Sequence, residues 1–221
     1  VSVPTSLDAV VFDLDGTLID SAPGLQQAAA ALMAELSLPE PDLPTTIGFV
    51  GSGAPKLVER CLRWAGAEPE AYPQALDRFL ALYNRDPMSG TTTYPGAQAL
   101  LDVLHERGLH LGLCTNKPAR PTRTILEALA LGPFDAVVGG DSLPVRKPDP
   151  APLLHVIAAL GATADTTLYV GDTIVDWHTA RAAGVAYAHI DGGYQTTEIP
   201  DFSPAIRVFS LTALAEALAT G

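Results

Sequence analysis

In this chain carboxylates, hydroxyls and lysines recur where a short apolar run has just ended. Asp13-Leu14-Asp15-Gly16-Thr17 follows the run Leu7 to Phe12. Two carboxylates one residue apart, with a Gly that lets the chain turn, crowd like charges together. That crowding is relieved when a divalent cation binds or one carboxylate takes a proton. Thr115-Asn116-Lys117-Pro118 follows Leu109 to Cys114 and offers a hydroxyl, an amide and the free N–H groups of a helix start, which together cradle an anion. Lys147, in Arg146-Lys147-Pro148-Asp149-Pro150, stands among proline-fixed neighbours as a positioned point charge. Gly171-Asp172-Thr173 ends the run Thr167 to Val170, and Asp176, in the first turn of the next helix, can face the same ion as Asp172. Each segment also has a plainer reading as an Asx turn, a capping turn, a solvated loop lysine or an N-cap.

The segments act together only if the fold brings them to one edge. Leu7 to Phe12 reads as a buried strand, short, apolar and rich in β-branched residues. Helices alone follow it. Leu25, Ala28, Ala29, Leu32, Met33 and Leu36 form a helical stripe behind Pro23, and the Pro-rich stretch Pro39 to Pro44 ends that helix. The Gly-rich segment Ile47 to Gly53 leads into a second helix carrying Leu57, Val58, Cys61 and Leu62, and a third runs from about Pro69 to Arg85. No strand is expected between Ile19 and Met88. From Tyr94 onward strand and helix alternate with Gly stops at 108, 132, 161 and 184, and strands are expected near 109–114, 136–138, 167–170, 185–190 and 206–209. This predicts a doubly wound α/β fold with a mostly parallel sheet, a core of residues 1–18 and 91–221, and a helical cap over 19–90 including its hinges. In such a sheet ligands bind beyond the carboxyl ends of the strands, where chain order reverses.

The composition narrows the function. Of 221 residues, 48% are hydrophobic and 17% charged, which suits one sizeable core with a smaller insert. A net charge of -12 opposes phosphate backbones, so nucleic acid is not expected as a partner. No apolar run reaches the length of a membrane span, and the first residues lack a basic segment followed by a long apolar one. Two isolated cysteines, Cys61 and Cys114, fit a reduced, cytoplasmic setting. Among 13 basic residues the lysines are Lys56, Lys117 and Lys147 alone, and two of them fall in the segments above.

The order DLDGT at 13–17, Thr115, Lys147 and GDT with Asp176 resembles the haloacid dehalogenase superfamily of phosphotransferases, over the whole chain and including an all-helical cap in the first insertion site. The resemblance implies a phosphatase in which Asp13 is the nucleophile and Asp15 first protonates the leaving alkoxide, then activates water. It implies phosphate contacts at Gly16, Thr115, Asn116 and Lys147, and Mg2+ held by Asp13, the Asp15 carbonyl and Asp172, with Asp176 in its first or second shell. Within the superfamily, TNKP at 115–118, Gly193-Tyr194 and VGSGAPKLVER at 50–60 are similar to bacterial phosphoglycolate phosphatases. Two positions depart from that subfamily: Asp149, where it often has His, and GDTIVD, where it often has GDS with an Asn before the last Asp. The implied substrate is a small phosphorylated metabolite such as 2-phosphoglycolate. Lys56 in the cap is a candidate for its carboxylate, beside the plainer reading of a surface lysine. A β-phosphoglucomutase-like phosphomutase shares the four motifs. A non-enzymatic phosphoacceptor receiver module shares the acidic pair, Thr and Lys, but not the helical insertion or the last Asp motif.

Overall fold

The computed structural model describes residues 3–219. Its strands are β1 (Ala9–Phe12), the two-residue β2 (Ile19–Asp20) and β3 (Thr92–Thr93), β4 (His110–Cys114), β5 (Ala136–Val138), β6 (Thr167–Gly171), β7 (Ala186–Ile190) and β8 (Ile206–Val208). Helices α1 (Ala22–Glu35), α2 (Leu43–Ile47), α3 (Ala54–Trp64) and α4 (Ala75–Tyr83) lie between β2 and β3; α5 (Ala97–Glu106), α6 (Ala119–Ala128), α7 (Ala151–Ala159), α8 (Ile174–Ala183) and α9 (Leu211–Ala219) follow. Six strands form one parallel sheet in the order β5-β4-β1-β6-β7-β8. Successive strands step outward from β1 to β4 and β5, then return to its other side at β6. The reversal lies between β1 and β6, and the crevice at their carboxyl ends is where a ligand fits.

Alternation along the strands builds a core on each face of the sheet. Val10, Phe12, Leu111, Leu113, Leu168 and Val170 pack on one face against Leu100, Leu101 and Leu104 of α5, Ile125 of α6 and Leu214 of α9. Ala9, Val11, Tyr169 and Tyr187 pack on the other against Leu153, Val156 and Ile157 of α7 and Trp177 and Ala180 of α8. Helices cover both faces, so β1 is buried throughout, as its unbroken apolar run requires.

The insertion has a hydrophobic cluster of its own, in which Leu25, Ala29, Leu32 and Met33 of α1 meet Leu57, Val58, Cys61 and Leu62 of α3 and Phe79 and Tyr83 of α4. Two expectations need correction here. Ile19 and Asp20, expected to be a strandless hinge, pair antiparallel with Thr93 and Thr92, so the two connections form a short ribbon. Helix α2 starts inside the Pro-rich stretch and runs past it to Ile47, and Asp42 caps it by accepting from the Thr45 N–H at 2.9 Å. The ribbon is tied to the core by Tyr194, whose hydroxyl accepts from the N–H groups of Ser21 (2.7 Å) and Ala22 (2.9 Å) and donates to Asp20 Oδ1 (2.7 Å). A core phenol thus caps α1, for which Ser21 provides no side-chain cap.

Two stability predictions follow from this packing. A Cβ at Gly112 in β4 would lie 2.5 Å from Val156 Cγ1 and 3.1 Å from Leu160 Cδ1, so α7 can sit close on the sheet only over glycine. Gly112→Ala is expected to cost about 1–3 kcal/mol by overpacking, read in thermal unfolding as about 2–4 °C per kcal/mol. Tyr194→Phe keeps the ring but strands the Ser21 N–H, while the Ala22 N–H keeps Asp20 Oδ1 at 3.2 Å, and is expected to cost about 1–3 kcal/mol. A melting temperature equal to wild type would show that water replaces the hydroxyl at no cost.

Candidate active site

β1 ends at Phe12, which is level with Leu113 of β4 and Val170 of β6, so the residues after these strands emerge side by side. Asp13 leaves the sheet with its N–H bonded to the Val170 carbonyl (2.9 Å), and Thr115 leaves β4 bonded to the Val138 carbonyl (3.0 Å). Gly16 turns the chain at φ +88°, and a Cβ there would lie 2.2 Å from Asp172 Oδ2. Only glycine lets the Asp13–Thr17 turn close against the end of β6. Thr17 Oγ1 then donates to Asp172 Oδ1 (2.7 Å), and the Tyr194 N–H donates to Oδ2 (2.7 Å).

The Thr173–Asp176 spacing is a capping box: Asp176 Oδ2 accepts from the Thr173 N–H (3.1 Å) and hydroxyl (2.8 Å), so the cap of α8 is Thr173 rather than Asp172. Asp176 Oδ1 accepts from Lys147 Nζ (2.6 Å) and the Tyr169 hydroxyl (2.8 Å). Lys147 is therefore no solvated loop residue. Its ammonium is buried, 2.8 Å from Asp13 Oδ1, but aims its bonds at Asp176 and Tyr169, and Asp13 Oδ1 has charge contact without a directed hydrogen bond.

Asp13, Asp172 and Asp176 are buried, with one oxygen of each within 4.8 Å of the others. Burial, with Asp176 and Asp15 adding to it against Lys147, pushes the Asp13 carboxyl up to about 7. Burial and the charges of Asp176 and Asp13 hold Asp172 well above the usual carboxylate range. Asp176 goes the other way: burial works upward, but Lys147 and the hydrogen bonds of Tyr169 and Thr173 overcome it. For Lys147 burial works downward, and Asp13 and Asp176 outweigh it, so it stays an ammonium. Three carboxylates against one ammonium leave a buried excess of negative charge, which suits a bound dication.

Asp15 points to the opposite side of the turn, where Oδ1 accepts from the Ser21 hydroxyl and from Lys117 Nζ (2.8 Å). Lys117 is missing from the residues that sequence reasoning picked out one by one. The available signal was that a chain so poor in lysine keeps one at 117. Asn116 Nδ2 donates to the carbonyls of Lys147 (3.0 Å) and of Gly51 in the helical insertion (3.0 Å). Gly16, Thr115, Asn116, Lys147, Asp13, Asp15, Asp172 and Asp176 thus share the strand-end crevice. Lys56 does not join them: its side chain is 57% exposed and paired with Glu59 (2.7 Å), one helical turn along. A lysine on the outer side of α3 finds a carboxylate neighbour in solvent more readily than a buried ligand.

A model of the haloacid dehalogenase-like hydrolases matches residues 10–190. A phosphoglycolate phosphatase of Cereibacter sphaeroides is 46% identical over 198 residues, 88% of this chain and 90% of that one. One of Rhodospirillum rubrum is 46% identical over 208 residues, covering 91% and 86%. A crystal structure from Haemophilus somnus 129PT, described as a predicted phosphoglycolate phosphatase, shares 28% identity at a TM-score of 0.89, covering 97% of this chain and 99% of that one. Family match, relatives and architecture agree with the strand-end carboxylates: the chain belongs to the haloacid dehalogenase-like hydrolases.

Proposed function

We propose that this phosphoric monoester hydrolase of the haloacid dehalogenase type removes the phosphoryl group from a small phosphorylated metabolite, 2-phosphoglycolate, through an aspartyl phosphate on Asp13 and with Mg2+ bound beside it. The observation that carries the reading is the pair of carboxylates on one turn with opposite surroundings. Asp13 faces Lys147, Asp172 and Asp176, whereas Asp15 faces Ser21, Lys117 and the insertion. In-line displacement at phosphorus needs a fixed nucleophile, neutral surroundings for the equatorial oxygens and a proton for the leaving oxygen. Asp13, anchored by its backbone at the end of β1, is placed to attack. Lys147 supplies fixed positive charge for the oxygens, and the Thr115 hydroxyl and Asn116 N–H are the donors beside it. Asp15, on the other side, is placed to protonate the leaving alkoxide and later to take a proton from water.

Mg2+ when bound would neutralise charge on the transferring group and relieve the carboxylate repulsion. Lone pairs decide which residues hold it. A carboxylate offers about four lone-pair sites, and the bonds from Lys147, Tyr169 and both donors of Thr173 fill those of Asp176. Among the described residues Asp172 accepts only from Thr17 and Tyr194, so it and Asp13 retain lone pairs for an ion. Asp176 then acts from behind, by positioning Lys147. The names of the relatives support 2-phosphoglycolate as substrate. The helical insertion, with its own core and its Gly51 carbonyl on Asn116, is read as a cap that closes over residues 13–17 and 115–117 and excludes water.

Two measurements test this. In the full-length protein with Mg2+, Asp13→Asn is expected to abolish turnover of 2-phosphoglycolate while the protein stays folded. Asp15→Asn loses a proton-transfer group commonly worth about 10²–10⁴ in rate. With an aryl phosphate, whose leaving group needs no proton, its first step survives better than its second. Intact-mass measurement after acid quench should then find one added phosphoryl group on Asp15→Asn and none on Asp13→Asn; label on any other residue would overturn the assignment. Separately, Mg2+ at a hundredfold excess over its Kd should stabilise the fold by about 2.7 kcal/mol. Asp172→Asn should remove most of that gain, and full activity in excess chelator is the result that sinks the metal.

A further inference from the structure

Lys117 has no task in the chemistry above, yet its ammonium is as buried as that of Lys147. An ammonium taken out of water is retained only against partners. Lys117 has two: Asp15 Oδ1 at 2.8 Å and the face of the Tyr83 ring, whose centroid is 4.9 Å from Nζ. For Lys117 burial works downward, and Asp15 outweighs it, so the group stays charged. Tyr83 comes from α4 of the insertion, and its buried hydroxyl gives its proton to no acceptor among the described residues. A buried phenol normally gives its proton to an acceptor, so this hydroxyl has a bond to offer.

Lys117 and Tyr83 line a cavity of about 30 Å³ between insertion and core, whose remaining walls include Leu25, Leu57, Phe79 and Leu80. In a chamber with such walls, an ammonium with three donors, one of them given to Asp15, and a free phenol hydroxyl are equipped to hold an anion. The position of the cavity fixes which anion. Asp15 meets the leaving oxygen, so the leaving group begins at Asp15 and extends toward Lys117 and Tyr83. A water needs roughly 10–15 Å³ by the same measure, so the space suits a group of a few heavy atoms. A carboxylate is a group of that size.

We propose that Lys117 and the Tyr83 hydroxyl are the specificity-determining pair of the site and bind a carboxylate carried by the leaving group a short carbon link from the ester oxygen. This rests on the phosphatase reading and deepens it, placing substrate selection on a core lysine and a cap phenol rather than on Lys56. Closure of the insertion brings the two together, so a substrate lacking the carboxylate forgoes a contact that holds the cap shut.

The test compares 2-phosphoglycolate with 2-hydroxyethyl phosphate, its counterpart without the carboxylate, using the full-length protein with Mg2+. Wild type is expected to favour the carboxylated ester in kcat/KM by about 10- to 100-fold, the range of charge-assisted hydrogen bonds. Lys117→Met should bring that ratio near unity, chiefly through a raised KM for 2-phosphoglycolate, and Lys117→Arg should retain part of it. Lys117→Met also takes a partner from Asp15, and if it fails to fold, Tyr83→Phe carries the test with a ratio lowered several-fold. Equal turnover of both esters by wild type, or an unchanged ratio in Lys117→Met and Tyr83→Phe, overturns the proposal and leaves the phosphatase reading standing. Hydrolysis of neither ester defeats the phosphatase reading and the proposal with it.

Discussion

Like charge held in a dry crevice is the constraint around which this molecule is arranged. Asp13, Asp172 and Asp176 converge where β1 and β6 end, and Lys147 alone stands among them with opposite charge. A group of carboxylates placed this close would neutralise itself by protonation or push apart unless the backbone held it and a cation answered it. Asp13 and Asp172 are pushed toward the protonated form, whereas Asp176, bonded by Lys147, Tyr169 and Thr173, remains ionised. One site therefore contains a carboxylate locked in place and two that, in the proposed reading, take up an ion. The surrounding fold is what resists the repulsion: two hydrophobic layers clamp the sheet, and three of its strands end level with one another beneath the cluster.

The same constraint explains why bulk charge and local charge differ in sign of purpose. At -12 the whole chain repels an incoming phosphate monoester. The crevice answers with Lys147 and, in the proposed reading, a metal ion. Such fixed charges count for more where water is excluded, because no solvent screens them. The scarcity of lysine elsewhere sharpens this contrast: two of the three lysines are buried at the strand-end edge, and the third pairs with Glu59 in solvent.

Legibility of the fold followed the range of the interactions that make each element. β1, β4 and β6 are fully or nearly buried, so their apolar runs ended in the sequence where the strands end in space, to within two residues. Gly184 is in the left-handed conformation at the end of α8, as its place after the helical run implied. β2 and β3 left no such trace, since a two-residue strand has no period and exists only through its partner on the far side of the insertion. α2 was hidden by its prolines, although one of them occupies the first helical turn, where proline is tolerated. The catalytic candidates could be picked by type and position because the strand ends announce them. Lys117 and Tyr194 could not be assigned tasks in the same way. Lys117 meets a carboxylate 102 positions earlier, and the Tyr194 hydroxyl meets an N–H 173 positions earlier.

Those two residues also show how the insertion and the chemistry share parts. Tyr194 bonds the Asp172 carboxylate through its backbone and the start of α1 through its hydroxyl. Ser21, the residue just before α1, gives its hydroxyl to Asp15 instead of capping its own helix. Lys117 bonds Asp15 and stacks on Tyr83 of the insertion, and Asn116 bonds Gly51 there while also holding the Lys147 carbonyl. Ser21 and Lys117 bond the reacting turn at Asp15, Tyr194 bonds Asp172 and Asn116 bonds the Lys147 carbonyl, and each of the four also joins the helical unit by chain or by contact. A shift of that unit therefore reaches Asp15 through Ser21 and Lys117, and Asp172 through Tyr194, without any separate relay. In the proposed reading, closure and acid–base chemistry use the same hydroxyl and ammonium, so the carboxylate that delivers the proton is seated when the cap is seated.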